Sequence, residues 1–158
     1  MHRTTALALG IGGLCLAAVA AALVTQHVFD MQPCPWCVLQ RLIFVGIALA
    51  ALIGLAWRST LGQRVSAAGM LLLGLCGVAA ALWQHFVAAV SSSCKLTLAE
   101  RIISGLNLDA LLPEVFQPRA TCADAAAKLL GVPYEFYSLT LFMLISILAL
   151  RSLVRRER

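Results

Sequence analysis

Four long apolar stretches leave this chain few ways to fold. They run from about Thr5 to Phe29, Trp36 to Trp57, Val65 to Val90 and Tyr134 to Leu150. A helix of roughly 17–25 apolar residues crosses a bilayer core of about 30 Å. No water-soluble fold of 158 residues hides that much apolar surface. Composition agrees: 61% of residues are apolar and 12% charged, against roughly 45–50% and 25% in soluble domains. The expected fold class is an all-α membrane protein. It is an antiparallel four-helix transmembrane bundle, with residues 1–158 as a single integral membrane domain. The first stretch also has features of a cleaved signal sequence, with Arg3 ahead of the apolar run and small residues near Ala18-Val19-Ala20. Its length, and its continuation into Gln26-His27 without a polar cleavage region, favour a retained span.

Four spans place both termini and the basic connection Arg58–Arg64 on one side of the bilayer. Loops of about 30–35 and 91–133 lie on the other. Arg3, Arg58, Arg64, Arg151, Arg155, Arg156 and Arg158 belong to the first side, seven of the twelve Lys and Arg residues. Asp30, Glu100, Asp109, Glu114, Asp124 and Glu135 belong to the second, six of the seven acidic ones. Basic residues in short segments next to spans mark the cytoplasmic side. The net charge of +5 therefore reflects topology, and no nucleic-acid partner is expected. The long loop carries Leu96, Leu98, Ile102, Ile103, Leu106, Leu111, Leu112, Val115 and Phe116. It is expected either to form one or two short helices on the membrane surface, limited by Pro113, Pro118 and Pro133, or to be an ordered loop packed on the helix ends.

Six cysteines divide by depth. Cys15 and Cys76 lie inside apolar runs and read as small buried apolar side chains. Cys34, Cys37, Cys94 and Cys122 lie in or beside the outer loops, where disulfides persist. Sequence alone allows three pairings of these four. Local closure of Cys34-Pro35-Trp36-Cys37 favours Cys34 with Cys37, which leaves Cys94 with Cys122. A bridge across two residues restrains an unfolded chain little, so a purely structural role explains the motif poorly. Cys37 belongs to a first helical turn, where the helix dipole favours thiolate. Arg41 follows four residues on, on the same helix face. Arg41 is distant in sequence from the long loop, so it is expected to act at Cys37 and leave exchange in that loop intact. A structural disulfide or zinc cluster is the rival use of four cysteines, although the spacing is weak for zinc.

Other polar residues gather at similar depth. Gln26 and His27 end the first span, and Trp83-Gln84-His85 lies near the outer end of the third. Polar groups at membrane depth are functional candidates.

Taken together, these residues resemble the DsbB family, bacterial inner-membrane proteins that reoxidise the periplasmic dithiol protein DsbA using quinone. The resemblance spans nearly the whole chain. It rests on Gln26-His27, Cys34-Pro35-Trp36-Cys37, Gln40-Arg41, Gln84-His85, and the single cysteines Cys94 and Cys122. Leu112-Pro113-Glu114-Val115-Phe116 and Leu130-Gly131-Val132-Pro133 complete it. It implies an enzyme with both termini cytoplasmic and Cys34, Cys37, Cys94 and Cys122 catalytic on the periplasmic side. Electrons would pass from a DsbA-like thioredoxin-fold partner to ubiquinone or menaquinone, with no metal. Arg41, His85, Gln26 and His27 would face the quinone. A vitamin-K-epoxide-reductase-like enzyme is the neighbouring alternative. That family is expected to place its loop pair before its membrane Cys-x-x-Cys, the reverse of this chain.

Overall fold

The computed structural model describes residues 2–89, 97–124, 128–129 and 131–154. Helix α1 covers His2–Val28, an Ala- and Leu-rich run without proline. It stops where Asp30 takes a left-handed conformation at φ 51°. Asp is one of the few non-glycine residues that tolerate this. The N–H groups of Phe29 and Met31 then both close on the Thr25 carbonyl. Helix α2, Pro35–Ala56, begins with proline in its first turn, where its missing N–H costs nothing. Helix α3, Thr60–Trp83, is capped by Ser59, whose Oγ accepts from the Gly62 N–H at 3.1 Å. The basic connection expected over Arg58–Arg64 is thus helical from Thr60 onward. Serine at the cap is the physical reason, since its oxygen satisfies a free N–H of the first turn. At Gln84–Ala88 the third helix widens into a π turn. Helix α7, Tyr134–Val154, closes the bundle.

All four long helices are apolar and long enough to cross a membrane. Leucines such as Leu9, Leu16, Leu49 and Leu72 point outward, as lipid contact requires. Helix α2 is the most enclosed, packed between α1 and α3, while α7 lies along α3. Without a hydrophobic driving force between helices in lipid, close packing of small residues holds such bundles together. A Cβ on Gly77 would overlap the Phe142 ring. That ring in turn stacks on Phe44 at 4.1 Å between centroids. Gly74 leaves room for Ser146 and Gly54 for Ser66 in the same way. Helices α1 and α7 meet only sparingly, which leaves a seam between them.

Among the described residues the long loop folds as three short helices, where one or two were expected: α4 at Leu98–Gly105, α5 at Leu108–Leu111 and α6 at Pro113–Phe116. Helix α4 starts with a capping box in which Thr97 and Glu100 satisfy each other's backbone N–H groups. Its buried face carries Ala99 and Ile103. Ile103 joins Phe116 against Val38 of α2. Burial of each large side chain there stabilises the docked loop by about 1.5–3 kcal/mol. A two-stranded ladder, Lys128–Leu129 with Val132–Pro133, turns at Gly131 and leads into α7. The loop is therefore fixed on the outer end of α2, and this docking positions the site.

Candidate functional site

The N-terminus of α2 is the centre of the site. A helix start leaves N–H groups without backbone partners, and here they point at sulfur. Cys34 is the N-cap, and its Sγ accepts from the Cys37 N–H at 3.2 Å. The Trp36 N–H is directed at the Cys122 sulfur. Cys34 lies between the other two thiols. Its Sγ is 2.7 Å from that of Cys37, and Cys122 is near enough to interact with it. Cys122 reaches this place because the Arg119 and Ala120 N–H groups clip onto the Pro33 carbonyl at 3.0 and 3.3 Å. A turn held by Thr121 and Asp124, with the hydroxyl donating to the carboxylate at 2.6 Å, fixes its backbone.

The two loop-side thiols differ electrostatically. Burial pushes the Cys34 thiol well above its ordinary range, and its hydrogen bonds to Cys122 and Cys37 add to the rise. The hydrogen bond from Cys34 lowers Cys122, against a smaller opposing effect of burial. Of the two, Cys122 is thus the easier to ionise. Nucleophilic exchange needs thiolate on the attacking sulfur.

Below these thiols, toward the membrane, lies a cavity of about 200 Å³ at the α1–α7 seam. Ala18, Ala22, Phe44 and Leu141 form its apolar wall, and Cys37, Gln40, Arg41, Gln84 and Tyr134 its polar end. Arg41 is 6% exposed, so its charge must be satisfied internally. Nη1 donates to Gln26 Oε1 at 2.6 Å and to the Val115 carbonyl at 3.1 Å, and Nη2 donates to the Ala22 carbonyl at 3.2 Å. Gln26 itself donates to the Glu114 carbonyl at 3.2 Å. Arg41 is far from the long loop in sequence but not in space: its side chain reaches from α2 to α6. Sequence separation hid this contact.

The remaining expected residues are placed differently. Gln26 is buried behind Arg41 and outside the cavity lining. His27 is half-exposed, 3.8 Å from Glu114, and also outside the lining. His85 lies one layer back, with Nδ1 2.7 Å from Glu135 Oε1 and its ring edge-on to Phe86 and Phe136. Glu135, only 7% exposed, lines the cavity in its place. Cys94, and with it the expected Cys94–Cys122 pair, lies outside the described residues. Cys34, Cys37 and Cys122 stand together at the N-terminus of α2. Cys15 is buried as expected, but Cys76 is exposed on the outer face of α3. Small Gly74 and Gly77 take the inward face of that helix. Sequence reasoning flagged Gln84 among the polar candidates without giving it a role, and did not assign Gln40 or Glu135 to the site. The signal was available: each is a polar residue within or beside an apolar run, at the depth of Cys37.

The chain matches the sequence profile described as DsbB, disulfide bond formation protein DsbB, over residues 3–151. It is similar to disulfide bond formation protein B of Pseudomonas syringae pv. tomato, 35% identical over 94% of this chain and 88% of that one. The protein of the same name from Aromatoleum aromaticum is 33% identical over 98% of this chain and 95% of its own. That from Herminiimonas arsenicoxydans is 32% identical over 98% and 97%. Together with the membrane bundle, the capped Cys-x-x-Cys and the docked loop cysteine, these likenesses show that the chain belongs to the DsbB family.

Proposed function

We propose that this disulfide-forming membrane oxidoreductase reoxidises a periplasmic DsbA-like thioredoxin-fold protein and passes two electrons to a membrane quinone, ubiquinone or menaquinone. The bundle would lie in the bacterial inner membrane as one domain, with termini cytoplasmic and the thiols periplasmic. The observation that carries this reading is the row Cys122, Cys34, Cys37 on one helix N-terminus, ending at a membrane-depth cavity.

Exchange proceeds in balanced steps. A partner thiolate attacks Cys94 of the Cys94–Cys122 bond, forming a mixed disulfide and releasing Cys122 as thiolate. Cys122 attacks Cys34 of the Cys34–Cys37 bond, forming Cys34–Cys122 and releasing Cys37 as thiolate. The partner's second thiolate displaces Cys94, which leaves the partner oxidised. Cys94 then attacks Cys122, restoring the loop disulfide and freeing Cys34. Two electrons now reside on Cys34 and Cys37. The contact between Cys122 and Cys34 supports the middle step, because the attacking and receiving sulfurs are already neighbours.

The cavity fits a quinone head group. Its wall is apolar, it opens at a helix seam facing lipid, and its polar end combines a fixed cation with amide and phenol donors. A hydrocarbon tail can remain in lipid. When bound, a quinone supplies a two-electron, two-proton acceptor. Arg41 and Tyr134 are the residues that would hold it, with Gln26 keeping Arg41 in place. Arg41 also stabilises negative charge on Cys37, since its guanidinium stays charged. His85 acts through Glu135 as a proton source rather than by contact, and no head-group contact is proposed for His27.

The test is a trap. A reduced DsbA-like protein whose second cysteine is replaced by alanine, mixed with the oxidised parent chain, should attack the Cys94–Cys122 bond, release Cys122 and accumulate a mixed disulfide that peptide mapping places at Cys94. A crosslink at Cys37 instead would reverse the proposed electron direction.

A further inference from the structure

Two glutamines, Gln40 on α2 and Gln84 at the end of α3, form a small oriented device. Gln40 Nε2 donates to Gln84 Oε1 at 2.7 Å, and Gln84 Nε2 donates to Cys37 Sγ at 3.4 Å. Both side chains are buried, Gln40 at 4% and Gln84 at 6% exposure. Both line the cavity beside Cys37. A primary amide has a donor end and an acceptor end. Which end faces the sulfur decides its effect. The donor end favours a charged sulfur by hydrogen bonding to it, and the acceptor end would oppose it. In this arrangement Gln40 donates to the Gln84 oxygen, which leaves the donor end of Gln84 for the sulfur. Gln84 also opens the π turn at the end of α3. Such turns insert an extra residue and re-aim side chains, often at functional sites.

We infer that Gln84 is a positioning residue that holds the Cys37 sulfur toward the cavity and supports its thiolate, and that Gln40 acts only through Gln84 by fixing its orientation. This deepens the proposed function and rests on Cys37 being the cavity-facing thiolate. Both residues are uncharged, so the device adds no carboxylate to a buried site that must carry a negative sulfur. Arg41 supplies the fixed charge from the same helix, and the amide supplies direction.

The measurement is the alkylation rate of Cys37 in fully reduced, quinone-stripped protein without partner. Cys15 and Cys76 are replaced by serine, and labelled sites are resolved by peptide fragmentation. Neutral substitutions avoid confusion with added charge. Gln84→Leu should slow Cys37 alkylation about tenfold at neutral pH, as expected for loss of one hydrogen bond to a charged group. Gln40→Leu should slow it by less, about threefold, because Gln84 keeps its donor but loses its orientation. The double variant should match Gln84→Leu alone, which is the mark of a residue acting through another. Cys122 alkylation in the same samples should stay within about twofold of the parent. A parental Cys37 rate in Gln84→Leu would overturn the inference, as would fully additive effects or an equal fall at Cys122. The assay contains neither partner nor quinone. A positive result with unchanged quinone turnover would therefore fault the proposed electron path and leave the device intact.

Discussion

Replacing Arg41 with alanine should damage two steps. The guanidinium makes three hydrogen bonds, to Gln26, Val115 and Ala22. The Ala22 carbonyl keeps another donor, the Thr25 hydroxyl at 3.0 Å. Gln26 Oε1 and the Val115 carbonyl lose theirs. Hydrogen bonds to a charged group contribute about 1.5–3 kcal/mol each, so the loop contact at Val115 alone is worth roughly one to two powers of ten in an equilibrium. At the cavity, losing a fixed electrostatic stabiliser commonly costs about 3 kcal/mol in the transition state, near a hundredfold in rate. Quinone reduction under excess quinone should therefore fall about a hundredfold. Single-turnover exchange from Cys122 to Cys34 should also slow, by about tenfold, as α6 and the loop behind it loosen. Arg41→Lys should recover only part of either, since one ammonium cannot reproduce the planar fork. Stopped-flow traces of partner oxidation without quinone, and of quinone reduction with partner in excess, separate the two effects. A parental loop-exchange rate in Arg41→Ala would show that the Val115 contact does not hold the loop. A parental quinone rate and affinity would remove Arg41 from the cavity chemistry.

Three further outcomes are expected. Cys122 is lowered by its hydrogen bond from Cys34, so its alkylation should persist below the ordinary thiol range, and Cys34→Ala should move the midpoint of its pH profile upward; a midpoint that stays put refutes the coupling. Gly77→Leu forces a branched side chain into the Phe142 ring, a large overpacking of the α3–α7 contact that should cost at least about 1–3 kcal/mol, read as lower resistance to denaturation in detergent; unchanged resistance would mean that α3 and α7 are not in close contact. A membrane-impermeant maleimide added to reduced spheroplasts should label Cys122 and leave a cysteine placed at Ser59 unlabelled, and the reverse pattern would invert the proposed topology.

The bundle was legible because its signals are of one kind: long apolar runs, with arginines on one side and acids on the other. The capped start of α2 was equally readable, since proline after Cys34 leaves little choice about where the helix begins. What escaped the sequence depends on contacts across large separations. Arg41 meets Val115, and Gln84 meets both Gln40 and Cys37. Periodicity says which face a residue occupies, but not which loop carbonyl will be there. His85 shows the converse. It stands beside Gln84 in sequence and at the right depth, yet the π turn directs it to Glu135 and sends Gln84 to the sulfur.

The central claim is that electrons from a periplasmic dithiol leave this chain at Cys37 into a membrane quinone. Its most direct test is a stoichiometry: purified protein in lipid, a short-chain ubiquinone or menaquinone, and a reduced DsbA-like protein, with quinone absorbance and partner thiols followed in one cuvette. The account predicts one quinone reduced per partner disulfide formed, and loss of both signals with Cys37→Ser. Partner oxidation without quinone consumption, or continued turnover in Cys37→Ser, would contradict it.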